Sequence, residues 1–188
     1  MIDEALEILE EIEENVNVCC AITMDPEEVD ILIYRLKEIL EESKKFNAFE
    51  LSLFSKSKYV LCCSSGTDAL LLGLISLGLK PNDGVIVPSF TFASTAEAVC
   101  MLGGVPFFSD VNIDTFNICE NSILNSITEA KKQGITVKGI ISVGLFGQPC
   151  DIDNILEIAT ANKLWVLDDA AQSFGSSYKN KISGNLWK

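Results

Sequence analysis

Short apolar runs alternate with segments of helical periodicity from residue 58 onward. The runs have the length and the β-branched and aromatic content of strands, and they are Tyr59–Cys63, Gly84–Pro88, Val105–Asp110, Gly139–Val143 and Leu164–Leu167. Helices are predicted for SSGTDALLLGLISLGL after the first run and for Ala93–Leu102, Ser122–Gln133 and Asp153–Ala161. Strands that alternate with helices predict an α/β fold with a mostly parallel sheet covered on both faces.

The first 45 residues have a different pattern. Apolar side chains recur at helical spacing between glutamates, and Asp25-Pro26-Glu27-Glu28 is a typical helix start. Residues 1–45 hold fourteen acids and four bases, which accounts for most of the chain's net charge of -13. We therefore predict an acidic helical segment over residues 1–45 and a separate α/β domain over residues 46–188. The acidic side is either a solvated face or a docking surface for a partner.

Composition and charge narrow the class of protein. The chain has 188 residues, of which 48% are hydrophobic and 22% charged, as in globular proteins. No apolar run approaches the ~20 residues that span a bilayer, and the acidic start is unlike a signal peptide. We expect a cytoplasmic protein with no membrane partner. Its negative charge repels phosphate backbones, so nucleic acid is not an expected partner either.

The cysteine and histidine counts exclude several chemistries. The seven cysteines include two adjacent pairs but no CxxC motif, which favours reduced core thiols over disulfides or a zinc site. The chain has no histidine. A Ser-His or Cys-His nucleophile is therefore excluded, and the commonest metal ligand is missing. We expect no metal.

Three loops follow predicted strands, at the edge where ligands bind parallel sheets. In the first loop, Ser64 to Asp68, Gly66 permits close backbone approach. The N–H groups of a helix start can hold an anion there, assisted by the hydroxyls of Ser65 and Thr67. A plain capped helix explains the same residues. The sequence has neither GxGxxG nor GxxxxGK[ST], so it carries no dinucleotide or P-loop motif.

The other two loops carry aromatic and acidic side chains. Phe90 and Phe92 alternate after the second run, and one of them could stack on a flat ring or pack in the core. Asp168 and Asp169 follow the last run. A buried carboxylate needs a cationic or hydrogen-bonding partner, which a protonated ring nitrogen would supply, and Gln172 could reach another ring atom. Alternatively, one of these acids caps a following helix. An anion site, an aromatic plate and a carboxylate together describe a site for pyridoxal 5'-phosphate (PLP).

Five stretches of the sequence resemble the DegT/DnrJ/StrS family of PLP-dependent sugar aminotransferases, in the family's order and spacing. They are SSGTDALLLGL, VPSFTFASTAEAV, DVNIDTFNI, LFGQPCDID and LDDAAQSFGSSYKNKISGNL, between Phe49 and Leu186. The resemblance implies the large domain of the aspartate-aminotransferase fold and a homodimer with active sites at its interface. It also implies amino transfer from glutamate to a UDP-linked keto-sugar, most similar to the aminotransferases of UDP-2-acetamido-2-deoxy-3-keto-hexuronates.

The resemblance also implies roles for individual residues. The cofactor-binding positions are Gly66, Thr67 and Asp68 for the phosphate, Phe92 for stacking on the pyridine ring, Asp169 for the ring nitrogen, and Gln172 for the ring 3-oxygen. Asp168 stands where the family usually has another acid, with a supporting role. Gly144 stands where the family usually has His or Asp.

The lysine that forms a Schiff base with the cofactor is missing at its expected place. In the family it lies several residues beyond the GNL that here is Gly184–Leu186, and Lys188 comes too early. We therefore assign no catalytic residue, and we expect a truncated large domain without the C-terminal small domain, inactive alone. It would work as a homo-oligomer or with a complementary chain. The alternatives are a non-catalytic binding or interaction protein and a degenerate gene remnant.

Overall fold

The computed structural model describes residues 48–57, 60–61, 63 and 65–185. The acidic segment predicted over residues 1–45 lies outside the described residues. Within them, no helix is long and apolar enough to cross a membrane.

Four parallel strands form the main sheet, as the sequence predicts. They are β1 (Gly84–Pro88), β2 (Val105–Ser109), β3 (Val137–Val143) and β4 (Trp165–Asp169). Their order is β2-β1-β3-β4. The chain runs outward from β1 to β2 and then crosses back to β3 and β4 on the other side. The switch point therefore lies between β1 and β3, and ligands of such sheets bind outside the strands' carboxyl ends there.

Five helices and a short hairpin complete the described fold. The helices are α1 (Ala48–Ser55), α2 (Gly66–Ser76), α3 (Ser94–Met101), α4 (Glu120–Lys132) and α5 (Ile152–Asn162), and a 3₁₀ turn spans Leu145–Gly147. Strands β5 (Ser177–Tyr178) and β6 (Lys181–Ile182) pair antiparallel after the main sheet. The predicted helices are therefore present, with ends that differ by a few residues.

The sheet buries one apolar cluster on each face. Residues of α2 and α3 pack on one face with Ile141 and Leu167, while residues of α4 and α5 pack on the other with Ile140. Ile140 and Ile141 are neighbours that join different clusters because successive strand side chains point to opposite faces. The same alternation separates the side chains of Asp168 and Asp169.

Gly139 positions β4 against β3. Gly139 lies opposite Trp165 in the strand register, and a Cβ atom at this glycine would lie 2.0 Å from the Trp165 ring. Only glycine leaves room for the indole ring to lie across β3, so this residue fixes how the strand bearing the two aspartates packs.

Two strand predictions need correction. The run Tyr59–Cys63 does not form a strand in its described residues: Val60 makes a single β-bridge, and Leu61 and Cys63 lie in no strand. These three residues instead line a cavity beside α2 and β4. Strand β4 continues two residues past the predicted Leu167, because β3 extends to Val143 and its last residues pair with both aspartates. Pairing with β3, rather than side-chain polarity, sets the end of this strand.

Candidate functional site

A cavity of about 350 Å³ lies between the start of α2 and the carboxyl end of β4. Gly66 lines it from the helix, and Asp168 and Asp169 line it from the strand. The remaining wall is largely apolar and includes Leu70 and Phe174. The structure thus brings the first and third loops of the sequence to one cavity.

Asp169 is held by two hydrogen bonds from different parts of the chain. Its Oδ2 accepts from the Thr95 hydroxyl at 3.3 Å, and its Oδ1 accepts from the Ala171 N–H at 3.1 Å. The alternative that an aspartate caps the following helix is wrong, because turns and the β5–β6 hairpin, with no helix, follow β4 in the described residues. The bond to the N–H two residues on stabilises a turn instead.

Asp168 lies on the opposite face of β4 and has different surroundings. Its Oδ1 accepts a hydrogen bond from the Ser142 hydroxyl at 2.8 Å, while its buried Oδ2 has no partner among the described residues. Burial raises the pKa of Asp168 to about 6; the Ser142 bond opposes this shift and the charge of Asp169 adds to it. Burial first and the Asp168 charge second raise the pKa of the Cys150 thiol to about 12, so that thiol is unreactive.

The first turn of α2 presents free backbone donors. Ser65 is the N-cap: its hydroxyl oxygen accepts from the Asp68 N–H at 3.1 Å and its proton goes to Asp68 Oδ2 at 2.9 Å. No described residue accepts from the N–H groups of Gly66 and Thr67, which an α-helix leaves unpaired. Gly66 is exposed, and a Cβ atom there would meet open space. This turn can therefore receive an anion, while Asp68 serves the cap.

Phe92 is available for stacking. Its side chain is 71% exposed, and Phe90 is 51% exposed, so packing in the core is excluded for both. The Phe92 carbonyl accepts from the Thr95 N–H at 3.1 Å, which links the aromatic loop to the residue that contacts Asp169. Phe90 joins an exposed cluster with Phe116 and Phe146, at ring distances of 5.8 and 6.4 Å.

Gln172 has its amide orientation fixed by the loop after β3. Its Oε1 accepts from the Phe146 N–H at 3.1 Å, so the Nε2 donor is the end of the amide left for a ligand oxygen. Phe146 has a left-handed backbone with φ of 55°, and this turn brings its N–H to Gln172.

The described residues contain no group of acidic and cysteine side chains that could hold a metal ion. Among the described cysteines, Cys100, Cys119 and Cys150 are free thiols.

Comparison with known proteins decides the family. A profile of the DegT/DnrJ/EryC1/StrS aminotransferase family matches residues 27–188. The chain belongs to this family. The match begins upstream of Phe49, where the resemblance in the sequence begins, and thus includes part of the acidic segment.

Two curated members of the family illustrate the similarity. The UDP-2-acetamido-2-deoxy-3-oxo-D-glucuronate aminotransferase of Pseudomonas aeruginosa is 43% identical over 136 residues, which cover 72% of this chain and 36% of that protein. The 3-oxo-glucose-6-phosphate:glutamate aminotransferase of Bacillus subtilis is 38% identical over 156 residues, covering 79% of this chain and 34% of that protein. The chain thus spans about a third of the length of these relatives.

Solved structures of the family share the fold. A DegT/DnrJ/EryC1/StrS aminotransferase from Brucella abortus superposes with a TM-score of 0.72 at 32% identity, over 84% of this chain and 44% of that chain. NtdA from Bacillus subtilis, solved with bound pyridoxamine phosphate (PMP), superposes with a TM-score of 0.64 at 33% identity, over 85% and 39%. The family and its structural neighbours are PLP- or PMP-dependent aminotransferases with the aspartate-aminotransferase type of fold.

Gly144 leaves no room for a side chain. A Cβ atom here would lie 2.2 Å from the Ser173 hydroxyl oxygen. Ser173 is buried and shares a 2.7 Å hydrogen bond with Ser183. A His or Asp here, the residue that the resemblance makes the expected one, would therefore require Ser173 to move.

Sequence reasoning missed Thr95, Ser142 and the Phe146 N–H. Thr95 follows Phe92 by three residues at a predicted helix start, where a side chain can turn back toward the preceding strand end. That spacing was the available signal for Thr95. Ser142 could be found only from the register of β3 with β4.

Proposed function

We propose that this chain forms the cofactor site of a PLP-dependent sugar aminotransferase. The observation that carries the proposal is the placement of Asp169 and Gly66 on one cavity at the carboxyl edge of the sheet. The cofactor, when bound, supplies a ring that accepts electrons as a substrate C–H bond breaks. The chain's own residues would bind that ring, orient it and hold a proton on its nitrogen.

Each proposed contact is argued from the local geometry of its residue, because Phe92 and Gln172 are not among the described residues that line the cavity. The N–H groups of Gly66 and Thr67 would hold the phosphate, and Asp68 would hold the helix start in place through Ser65. Phe92 is exposed enough to stack on the ring, and Gln172 offers Nε2 to the ring oxygen because its Oε1 is engaged.

Asp169 would keep the ring nitrogen protonated. Each of its oxygens accepts one hydrogen bond, and a carboxylate oxygen has further lone pairs for a cationic N–H. A charge-assisted bond of this kind is stronger than a neutral one. The protonated nitrogen is what makes the ring an electron acceptor.

The names of two relatives support a proposal for the substrate class. The Pseudomonas aeruginosa and Bacillus subtilis proteins both carry a 3-oxo sugar in their names, and the second names glutamate. We propose that the reaction served by this site moves the amino group of glutamate to a nucleotide-linked 3-oxo sugar, with a UDP-linked acceptor favoured by the first relative.

The described cavity lacks one group that the reaction needs. None of the described residues that line it is a lysine, so these residues would contact the cofactor without a covalent bond. We propose that a complementary chain, or a second copy of this one, contributes to a complete active site.

Replacement of Asp169 tests the proposal. We expect PMP, which has no aldehyde, to quench the protein's tryptophan fluorescence saturably, and Asp169→Asn to weaken binding about tenfold or more, because one charge-assisted contact is lost. Glu157→Gln removes a charge from the exposed side of α5 and should leave the affinity unchanged. Equal affinities for the wild type and Asp169→Asn would contradict the assigned role.

A further inference from the structure

Two threonine hydroxyls form a chain behind Asp169. Thr95 is fully buried, and its hydroxyl lies 3.3 Å from Asp169 Oδ2. The hydroxyl of Thr91 lies 3.2 Å from that of Thr95. Thr91 is partly buried and belongs to the loop after β1, so the chain of hydroxyls runs from the aromatic loop to the end of β4.

The number of protons that each group can donate determines which oxygen is the donor in these two hydrogen bonds. A hydroxyl has one proton, and the carboxylate of Asp169 can only accept. Thr95 therefore donates to Asp169, and Thr91 donates to Thr95. Both donors point toward the carboxylate, an arrangement in which each bond polarises and strengthens the next.

Thr95 also connects the two groups that would contact a ring. Its N–H donates to the Phe92 carbonyl at 3.1 Å, and its hydroxyl donates to Asp169. One buried residue at the start of α3 thus contacts both the backbone of Phe92 and the carboxylate of Asp169, and it restricts the rotation of that carboxylate. The Ala171 N–H holds the other carboxylate oxygen from β4's own loop.

We propose that Thr95 is a positioning residue that orients the Asp169 carboxylate toward the cofactor ring nitrogen, and that Thr91 orients the Thr95 hydroxyl. This inference rests on the proposed function, because it takes Asp169 as the partner of the ring nitrogen. Thr95 itself does not contact the ring. It acts by restricting the carboxylate to one rotation, which strengthens a directional N⁺–H···O⁻ bond.

The test reads the ring nitrogen directly. PMP labelled with ¹⁵N in the ring is bound to the protein, and the ¹⁵N chemical shift is followed as a function of pH. We expect Thr95→Val, which keeps the shape but removes the hydroxyl, to lower the pH at which the ring nitrogen loses its proton by about one unit. Thr95→Ser, which keeps the hydroxyl, should restore the wild-type midpoint.

Matched variants separate positioning from folding. Thr160→Val changes an exposed residue of α5 and should leave the midpoint unchanged. Thr91→Val should shift it in the same direction as Thr95→Val, by less. If Thr95→Val does not fold, Thr91→Val carries the test. The inference would be overturned if Thr95→Val had the same midpoint as the wild type. If Thr95→Val does not fold, an unchanged midpoint in Thr91→Val would overturn it.

Failure of the proposed function would look different. Absence of PMP binding by the wild type, or an Asp169→Asn midpoint equal to that of the wild type, would remove Asp169 as the nitrogen's partner and with it the role of Thr95. A wild-type midpoint that Asp169→Asn lowers but Thr95→Val leaves unchanged would overturn only the positioning role.

Discussion

Asp168 and Asp169 are adjacent in the chain but meet different surroundings, because side chains alternate across β4. Asp169 accepts hydrogen bonds from Thr95 and Ala171, whereas Asp168 accepts one from Ser142 and keeps a buried oxygen without a partner in the described residues. Only Asp169 has both oxygens engaged, one by α3 and one by the loop after β4. The two acids therefore have different hydrogen-bond partners, although the sequence presents them as a pair.

The raised pKa of Asp168 gives a pH dependence of stability. Its value is about 6 in the folded chain against 3.8 for the free side chain, so folding favours the protonated form. The stabilisation is complete below the lower value and is lost as pH rises through about 6. From about pH 5 to about pH 8, we expect this residue to lower the free energy of unfolding by roughly 1.4 kcal/mol.

Urea unfolding of the wild type and its variants at about pH 5 and about pH 8 measures how much the free energy of unfolding changes with pH in each protein. Asp168→Asn should lose that part of the pH dependence, because an amide does not titrate. Asp114→Asn, at an exposed loop position, should keep the wild-type dependence. Identical pH profiles for the wild type and Asp168→Asn would show that Asp168 has an ordinary pKa.

The sequence identified several candidate site residues but not the contacts that position them. Gly66, Phe92 and Asp169 each follow a local pattern, a helix start or a strand end, which a single sequence displays. Thr95 lies 74 residues from Asp169 along the chain, and no local pattern connects them. The orientation of the Gln172 amide likewise depends on the backbone of a different loop.

At the scale of elements, the start of α2 depends on its cap. The Ser65 hydroxyl bonds both the N–H and the carboxylate of Asp68, which leaves the Gly66 and Thr67 N–H groups available to an anion. The sequence predicted this helix because Ser, Gly and Asp in this order are typical of a helix start.

Replacement of Ser65 tests the cap. Ser65→Ala should lower the free energy of unfolding by about 1 kcal/mol, because one first-turn N–H loses its acceptor. Ser65→Asn restores a side-chain acceptor that caps equally well and should recover most of the loss. Urea unfolding of the three proteins gives the comparison, and an unchanged stability of Ser65→Ala would mean that the cap does not hold the helix.

Strand ends were harder to predict than strand existence. The apolar run before the aspartates stops at Leu167, yet the strand continues because Val143 and Ser142 remain paired with Asp169 and Asp168. The run Tyr59–Cys63 has strand-like composition, but its described residues contribute side chains to a cavity wall instead of a ladder. In both cases the neighbouring element decides the outcome.

At the scale of the whole molecule, the cavity lies beside β4, the end strand of the described sheet, rather than at the switch point. The alternation of strands and helices predicted a parallel α/β sheet, and the order β2-β1-β3-β4 then puts the switch point next to the loops that follow β1 and β3. The sequence could not supply this order, because the crossover from β2 to β3 passes over β1 by packing that no local pattern records.

The most direct test is a crystal structure of this chain with PMP. The account predicts a ring nitrogen at about 3 Å from a carboxylate oxygen of Asp169, with the phosphate at the N–H groups of Gly66 and Thr67 and the ring against Phe92. PMP bound with its ring nitrogen turned away from Asp169, or with its phosphate far from the start of α2, would contradict it.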